Sequence, residues 1–166
     1  MLEIAVLSDT HGLLRPEVVA ALEGTERILH SGDVGDPAIL EALREIAPVT
    51  AVRGNVDRGA WAEKLPETAV VELPGGAFLY VLHVLDELDL DPVAAGFTAV
   101  VYGHSHRPSV SRRRGVWYLN PGSVGPRRFS LPISLLRVIV RGTTLEPELL
   151  TLDPSTGQWS GETSPD

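Results

Sequence analysis

The chain has 166 residues, a formal net charge of −8 and no cysteine, and 43% of its residues are hydrophobic. This length predicts a single domain with a core that needs no cross-links, and the lack of cysteine excludes disulfides, thiolate metal sites and a cysteine nucleophile. The acidic balance argues against general binding of nucleic acid through a basic face, but a phosphate substrate stays open because a divalent cation reverses the local field.

The N-terminal stretch MLEIAVLSDTHG does not have the pattern of a signal peptide, because it lacks a basic leader and Glu3 interrupts its apolar run. No run of about 18 apolar residues occurs in the sequence, so no membrane span is predicted. With the lack of cysteine, these features predict a cytoplasmic protein.

The first third of the chain has an alternating pattern of strands and helices. Strands are predicted at residues 2–8, 26–31 and 49–53, and amphipathic helices at 16–23 and 37–46, each opened by a proline. Short links between alternating strands and helices predict parallel pairing, with the helices packed on a face of the sheet.

The rest of the chain has a mixed pattern. A hairpin is predicted around Pro74-Gly75-Gly76, followed by a short helix at 91–95. Further strands are predicted at 98–102, 109–112, 116–119, 133–141 and 143–152. From Asp153 onward the chain is rich in Ser, Thr, Gly and Pro and is expected to be loose. We therefore predict an α/β domain over residues 1–152 and a polar tail over 153–166.

Polar side chains follow five of the predicted strands, and four of the chain's five histidines are among them. They are Asp9, His11, Asp33, Asn55, His83, His104 and His106. Parallel strands place such groups at one edge of a sheet, and residues two apart on an extended segment point to the same side. Imidazole and carboxylate suit Mn, Fe, Zn or Ni, and two ions about 3.5–4 Å apart can clamp a phosphate and activate a bridging water. Asp33, alone after Gly32, is the best candidate for a bridging ligand.

Each motif taken alone also has a purely structural interpretation. Asp9-Thr10-His11 fits a turn or a helix cap, Gly32-Asp33 and Gly54-Asn55 fit tight turns, and His83 fits a buried histidine with satisfied hydrogen bonds. The combination favours a metal site, because five separate strand ends each deliver a group able to bind a cation.

The stretches SDTHG, SGDVGD, RGNVD, GHSH and NPGSVGPRR, in this order, resemble the motifs of the calcineurin-like metallophosphoesterases. They are most similar to the small single-domain branch often called YfcE-like, and the resemblance covers roughly residues 1–150. It implies a four-layer αββα sandwich in which two mixed β-sheets are flanked by helices. It also implies phosphodiester hydrolysis by a hydroxide that bridges two divalent ions, with Mn favoured and Fe, Zn, Ni or Co as alternatives.

The resemblance assigns a role to each candidate residue. Asp9, His11 and His106 would bind the first ion, Asn55, His83 and His104 the second, and Asp33 both. Asp33, Asn55 and His83 would be catalytic, and Asn55, Arg127 and Ser123 would contact substrate. The segment from Asn120 to Ser123 would close the site from one side.

Some positions depart from the family pattern or have two interpretations. Val56 stands where many members carry a histidine that serves as general acid, and Val84 and Leu85 replace a Gly and a His of the branch, so the loop that follows is either solvated or alters substrate preference. Arg127 and Arg128 either bind phosphate or are exposed loop charges. Arg112, Arg113 and Arg114 are expected to form a polar hairpin turn, and His30 is expected in the core or behind the ligands.

The resemblance leaves two rival functions. The same fold occurs in a retromer subunit that binds partner proteins, and nucleases occur in the superfamily, although the acidic balance argues against a nuclease here. The expected partner is a small phosphodiester or nucleotide-like substrate. Nucleic acid and membrane are not expected as partners, and self-association is open.

Overall fold

The computed structural model describes residues 1–164, which contain eleven strands and three short α-helices. In chain order the elements are β1 (Leu2–Leu7), α1 (Pro16–Ala21), β2 (Arg27–His30), α2 (Pro37–Arg44), β3 (Val49–Ala51), α3 (Ala60–Glu63), β4 (Thr68–Glu72), β5 (Phe78–Leu82), β6 (Ala99–Val101), β7 (Ser109–Arg113), β8 (Val116–Asn120), β9 (Ile133–Arg141), β10 (Thr144–Asp153) and β11 (Gln158–Thr163). A 3-10 helix covers Leu85–Glu87.

The strands form two mixed sheets. The first sheet has the order β11-β10-β9-β1-β2-β3, and the second has the order β4-β5-β6-β8-β7. As predicted from the alternating pattern, β1, β2 and β3 pair in parallel. The predicted hairpin is also present, because β4 and β5 pair in antiparallel register. In the second sheet β5, β6 and β8 run parallel, so both sheets direct several carboxyl ends toward one edge of the molecule.

Alternation along each strand divides the core into layers. Ile4 and Val6 of β1 pack between the two sheets, whereas Ala5 and Leu7 face the layer that contains α1 and α2. This follows because successive side chains of a strand point to opposite faces. The outer face of the second sheet is covered by the 3-10 helix and the following loop, with Leu85 among the covering residues. The expected sandwich of two mixed sheets is thus confirmed, with a thin outer layer on the second sheet.

Two local predictions are wrong. Residues 91–95 form turns rather than a helix, because the amide of Ala95 donates to the carbonyl of Asp91 but Gly96, at a φ of 81°, stops the turn from propagating. The chain after Asp153 is not loose over residues 158–163, because β11 pairs with β10 in antiparallel register. The indole of Trp159 also donates to the carbonyl of Glu17, 3.2 Å away, and packs on the helix-side core.

Among residues 1–164, no helix has the length and hydrophobicity needed to cross a membrane.

Candidate metal centre

The seven candidate side chains converge at the edge where the carboxyl ends of the parallel strands meet. They follow β1, β2 and β3 in the first sheet and β5 and β6 in the second. Their donor atoms form two clusters, one with Asp9, His11 and His106 and one with Asp33, His83 and His104. The side-chain oxygen of Asn55 lies in the second cluster, 2.9 Å from Nε2 of His83.

The first cluster is built around the fully buried carboxylate of Asp9. Oδ1 of Asp9 lies 3.2 Å from Nε2 of His106 and 3.5 Å from Nε2 of His11. The two Nε2 atoms are themselves 3.2 Å apart. Three donor atoms therefore surround one small volume, and Asp9 is held there because its Oδ2 accepts the hydroxyl of Ser8, at 2.5 Å, and the amide of His104, at 3.1 Å.

The second cluster is built around the side-chain oxygen of Asn55. Besides Nε2 of His83, this oxygen lies 3.0 Å from Nδ1 of His104. Nδ1 of His83 lies 2.7 Å from the carbonyl of Ser31, which can only accept, so Nδ1 of His83 carries the proton. In the neutral imidazole, Nε2 of His83 then presents a lone pair to the other atoms of this cluster.

Asp33 connects the two clusters. Its Oδ2 lies 3.2 Å from Nε2 of His83 and 3.6 Å from Nε2 of His11. Its Oδ1 accepts the amide of Val56 at 3.0 Å, which fixes the orientation of the carboxylate. One oxygen of Asp33 thus lies within reach of both groups of donors, which is the placement that a bridging ligand requires.

The donor set fits divalent cations. Within residues 1–164, Oδ1 of Asp9 is buried without a hydrogen bond of good geometry, an arrangement that costs free energy unless another group supplies the contact. The oxygen of Asn55 and Nε2 of His83, 2.9 Å apart, are also a pair of acceptors, because the proton of the neutral His83 ring lies on Nδ1. A cation between such atoms removes the conflict, and nitrogen and oxygen donors suit first-row transition metals.

Five of the seven candidate residues have left-handed backbone conformations. Positive φ angles, from 45° to 71°, occur at Asp9, His11, Asp33, His104 and His106. Asp and His tolerate this region better than most residues, yet it remains uncommon and costly outside glycine. Clusters of such conformations are typical of functional sites, where the surrounding structure enforces them.

The site perturbs the ionisation of its own groups. Burial alone would raise the pKa of Asp9, but contacts with His106, His11 and Ser8 outweigh it and lower that pKa below its ordinary value. Burial would also raise the pKa of Asp33, but the contact with His83 outweighs it and lowers that pKa. Burial would lower the pKa of His83, but the neighbouring carboxylates of Asp33 and Asp9 raise it. The site therefore attracts positive charge, whether a proton or a metal ion supplies it.

Several supporting residues were missed or incompletely assigned from the sequence. Asp57 accepts three backbone amides from the turns after β2 and β3, and the hydroxyl of Ser8 holds Asp9. His30, expected behind the ligands, is fully buried there and contacts the hydroxyl of Thr10 at 3.0 Å. The sequence signal for Asp57 is its place three residues after Gly54, where a carboxylate can cap a tight turn.

Two glycines allow the ligand turns to approach closely. A Cβ atom on Gly54 would lie 2.1 Å from Oδ1 of Asp33, and one on Gly103 would lie 2.1 Å from Oγ of Ser8 and 2.8 Å from Oδ2 of Asp9. Asp33 cannot move away from such a Cβ atom without leaving its place in the site, and Ser8 cannot move without releasing Asp9. Glycine is therefore required beside both carboxylates.

The segment after β8 supports the ligand turns from behind. The side-chain Nδ2 of Asn120 donates to the carbonyl of Gly103 at 3.2 Å, next to His104. Ser123 is buried, and its hydroxyl donates to the carbonyl of Asp9 at 2.9 Å. That Ser123 contacts substrate, and that this segment closes the site from one side, stay predictions.

The arginines lie at the periphery. Nε of Arg127 donates to the carbonyl of Leu131, and both Arg127 and Arg128 are exposed, so their contact with phosphate stays a prediction. Arg112 and Arg113, predicted to lie in a hairpin turn, instead belong to β7, and only Arg114 of the three is in the turn. The guanidinium groups of Arg112 and Arg113 lie over the rings of Trp117 and Tyr118.

A cavity of about 340 Å³ opens beside the second cluster. Asn55 and His83 line one wall, and Arg53, Glu67, Val84 and Glu87 are on the others. The Arg53 guanidinium forms an ion pair with Glu67, with 2.8 Å between Nη2 and Oε1. Val84 therefore lines a space next to the candidate ligands, and an effect of this position on substrate preference stays a prediction.

Several known proteins are similar to this chain in sequence or in fold. Residues 2–143 match the calcineurin-like phosphoesterase superfamily domain. A probable metallophosphoesterase of Methanothermobacter thermautotrophicus is 32% identical over 158 residues, covering 89% of this chain and 91% of that protein. Phosphodiesterase YfcE of Escherichia coli K12 is 29% identical over 165 residues, covering 81% of this chain and 85% of that protein. The structure of wild-type Vps29 from Entamoeba histolytica complexed with zinc superposes with a TM-score of 0.80 at 21% identity, covering 98% of each chain.

Proposed function

The chain belongs to the calcineurin-like phosphoesterase superfamily, and we propose that it is a phosphodiesterase that uses two divalent cations. One observation carries the proposal: Oδ2 of Asp33 lies within 3.6 Å of the nearest imidazole nitrogen of each cluster. Asp9, His11 and His106 would hold one cation, and Asn55, His83 and His104 the other. The relatives named as metallophosphoesterase and phosphodiesterase support this assignment.

When bound, the two cations would supply a nucleophilic water at neutral pH and neutralise charge on the phosphate. The chain's own residues orient these parts. Asp33 would fix the separation of the two positions, and the backbone carbonyl of Ser31 keeps the proton of His83 on Nδ1, so that Nε2 faces the site. The lowered pKa values of Asp9 and Asp33 keep both carboxylates ionised at neutral pH.

Diesters with good leaving groups are the proposed substrates. Val56, which is 42% exposed and whose amide donates to Asp33, cannot donate a proton to a departing alkoxide. General acid assistance is typically worth about 10²–10⁴-fold, so without it an aryl leaving group is favoured. The cavity beside Asn55 and His83 offers room for one ester arm. We expect bis-p-nitrophenyl phosphate to be hydrolysed faster than glycerol phosphate, and preference for glycerol phosphate would contradict this substrate class.

The decisive test is Asp33→Asn, which preserves shape but removes the shared negative charge. We expect at least about a 100-fold loss of kcat on bis-p-nitrophenyl phosphate and weaker binding of one Mn²⁺ ion in a calorimetric titration. Asp91→Asn is the matched control, because Asp91 also accepts a backbone amide, at 3.0 Å from Val93, but lies outside both clusters. A variant at Asp33 that binds two ions and turns over normally would refute the bridging role.

A non-catalytic scaffold is the second candidate, supported by the likeness in fold to Vps29. A preparation with both cation positions filled and no activity on monoesters, diesters or nucleotides would favour the scaffold. A nuclease would instead bind and cleave single-stranded DNA, which the net charge of −8 disfavours.

A further inference from the structure

Asp57 is a buried carboxylate that belongs to neither cluster. It is 5% exposed, and it accepts three backbone amides. Oδ2 accepts the amides of Gly54 at 2.8 Å and Val34 at 3.2 Å, and Oδ1 accepts the amide of Gly35 at 2.9 Å. These contacts use both oxygens, so the side chain has one orientation.

The three amides belong to the two turns that carry Asp33 and Asn55. Val34 directly follows Asp33, and Gly54 directly precedes Asn55. Val56, the neighbour of Asp57, donates its own amide back to Oδ1 of Asp33. The two turns are therefore joined in both directions, once by the carboxylate of Asp57 and once by the carboxylate of Asp33.

We infer that Asp57 is a positioning residue that sets the distance between the bridging carboxylate of Asp33 and the oxygen of Asn55, and so tunes the affinity of the second cluster for its cation. The inference rests on the proposed function, because it presumes that this cluster binds a metal. An ionised carboxylate suits the task, since it accepts on both oxygens, whereas an asparagine would direct its NH₂ group against at least one backbone amide.

The first cluster is joined to this link only indirectly, through Asp33 and through the amide of His11, which donates to the carbonyl of Asp33 at 3.0 Å. Asp9 is held by the hydroxyl of Ser8, and its carbonyl accepts the hydroxyl of Ser123. Its main-chain amide donates to the carbonyl of Gly32 at 3.0 Å. Loss of Asp57 should therefore weaken the second cluster, which contains both Asp33 and Asn55, more than the first. A residue with only a general structural role would weaken both clusters alike.

The experiment measures Mn²⁺ affinity calorimetrically in two backgrounds. His11→Ala disables the first cluster, and His104→Ala disables the second. We expect Asp57→Asn to weaken binding about 10–100-fold in the His11→Ala background and by a clearly smaller factor in the His104→Ala background. Equal losses in both backgrounds, or no loss in either, would overturn the inference.

Two controls keep the outcome decisive. Asp91→Asn, combined with each background, should leave Mn²⁺ affinity unchanged, since Asp91 also accepts a backbone amide but outside the site. Asp57→Glu keeps the charge and displaces it by one methylene. If the asparagine variant does not fold, a glutamate variant that binds like its parent in the His11→Ala background would overturn the inference. Failure of the unmodified chain to bind two Mn²⁺ ions would instead refute the proposed function.

Discussion

The clearest quantitative prediction concerns His30, whose imidazole is fully buried behind the ligand turns. The amide of Gly32 donates to Nδ1, at 3.1 Å, so Nδ1 must be unprotonated and Nε2 carries the proton toward the hydroxyl of Thr10. That hydroxyl donates onward to the carbonyl of Val34 at 2.8 Å. The chain of hydrogen bonds is complete only with a neutral imidazole, and burial lowers the pKa of His30 to about 4.

The sign of the pH dependence follows from this shift. An unfolded histidine takes up a proton near pH 6.5, whereas native His30 stays neutral until about pH 4. Between these values the unfolded state binds more protons, so the free energy of unfolding falls as the pH falls. The full shift corresponds to about 3 kcal/mol, of which about 2 kcal/mol is lost between pH 7 and pH 4.5.

The other groups at the site with shifted pKa values do not lower the stability between pH 6.5 and pH 4.5. The pKa values of Asp9 and Asp33 are lowered from 3.8, so the stability they contribute is lost only at more acidic pH. The pKa of His83 is raised from 6.5, so its contribution is fully present below that value and is lost at higher pH. Among these groups, His30 alone should lower stability between pH 6.5 and pH 4.5.

The assay is urea unfolding of chelator-treated protein at pH 7 and pH 4.5, for the unmodified chain and for His30→Gln. Glutamine can still donate to Thr10 but does not titrate. We expect the variant to be less stable at pH 7, and the unmodified chain to lose about 2 kcal/mol more than the variant on acidification. Equal losses in the two proteins would refute the assignment of a neutral, buried His30.

Three further predictions follow from contacts at and around the site. Gly54→Ala should abolish binding of the second Mn²⁺ ion in a titration, because its Cβ would lie 2.1 Å from Oδ1 of Asp33. Mn²⁺ at 100 times its dissociation constant should raise the free energy of unfolding by about 2.7 kcal/mol for each site that it fills, and a chelator should reverse the gain. Trp159→Ala should lower the free energy of unfolding in urea by about 1–2 kcal/mol, through loss of its packing and of the hydrogen bond to Glu17.

The convergence of the seven polar residues was predictable from the sequence, because parallel strands end at a shared edge. The backbone conformation that brings these side chains together was not predictable from the sequence. Side chains two apart were expected to point the same way on extended chain, but Asp9 and His11 are both left-handed, with φ of 57° and 45°. The pattern of strand ends locates the groups, whereas the turn conformation depends on contacts from distant segments such as Ser123.

The errors in the prediction have similar physical origins. The tail was expected to be loose from its composition, but β11 is stabilised by the exposed edge of β10 and by Trp159, contacts that composition does not encode. Asp57 was quoted within a motif without a role, because its partners are backbone amides more than twenty residues earlier, at Val34 and Gly35. Sequence alone carries little information on such side-chain to backbone contacts.

Backbone hydrogen bonds hold the ligand turns in place. Left-handed backbone at the five ligand residues carries a conformational cost of roughly 1–2 kcal/mol each. It is offset by hydrogen bonds that continue the parallel pairing beyond β1 and β2, from the amides of Asp9 and His11 to the carbonyls of Gly32 and Asp33, each at 3.0 Å. The same two hydrogen bonds set the positions of the ligands that follow β1 and β2 relative to one another. Residues outside the donor set, such as Asp57 and His30, therefore act on the site through the turns that carry its ligands.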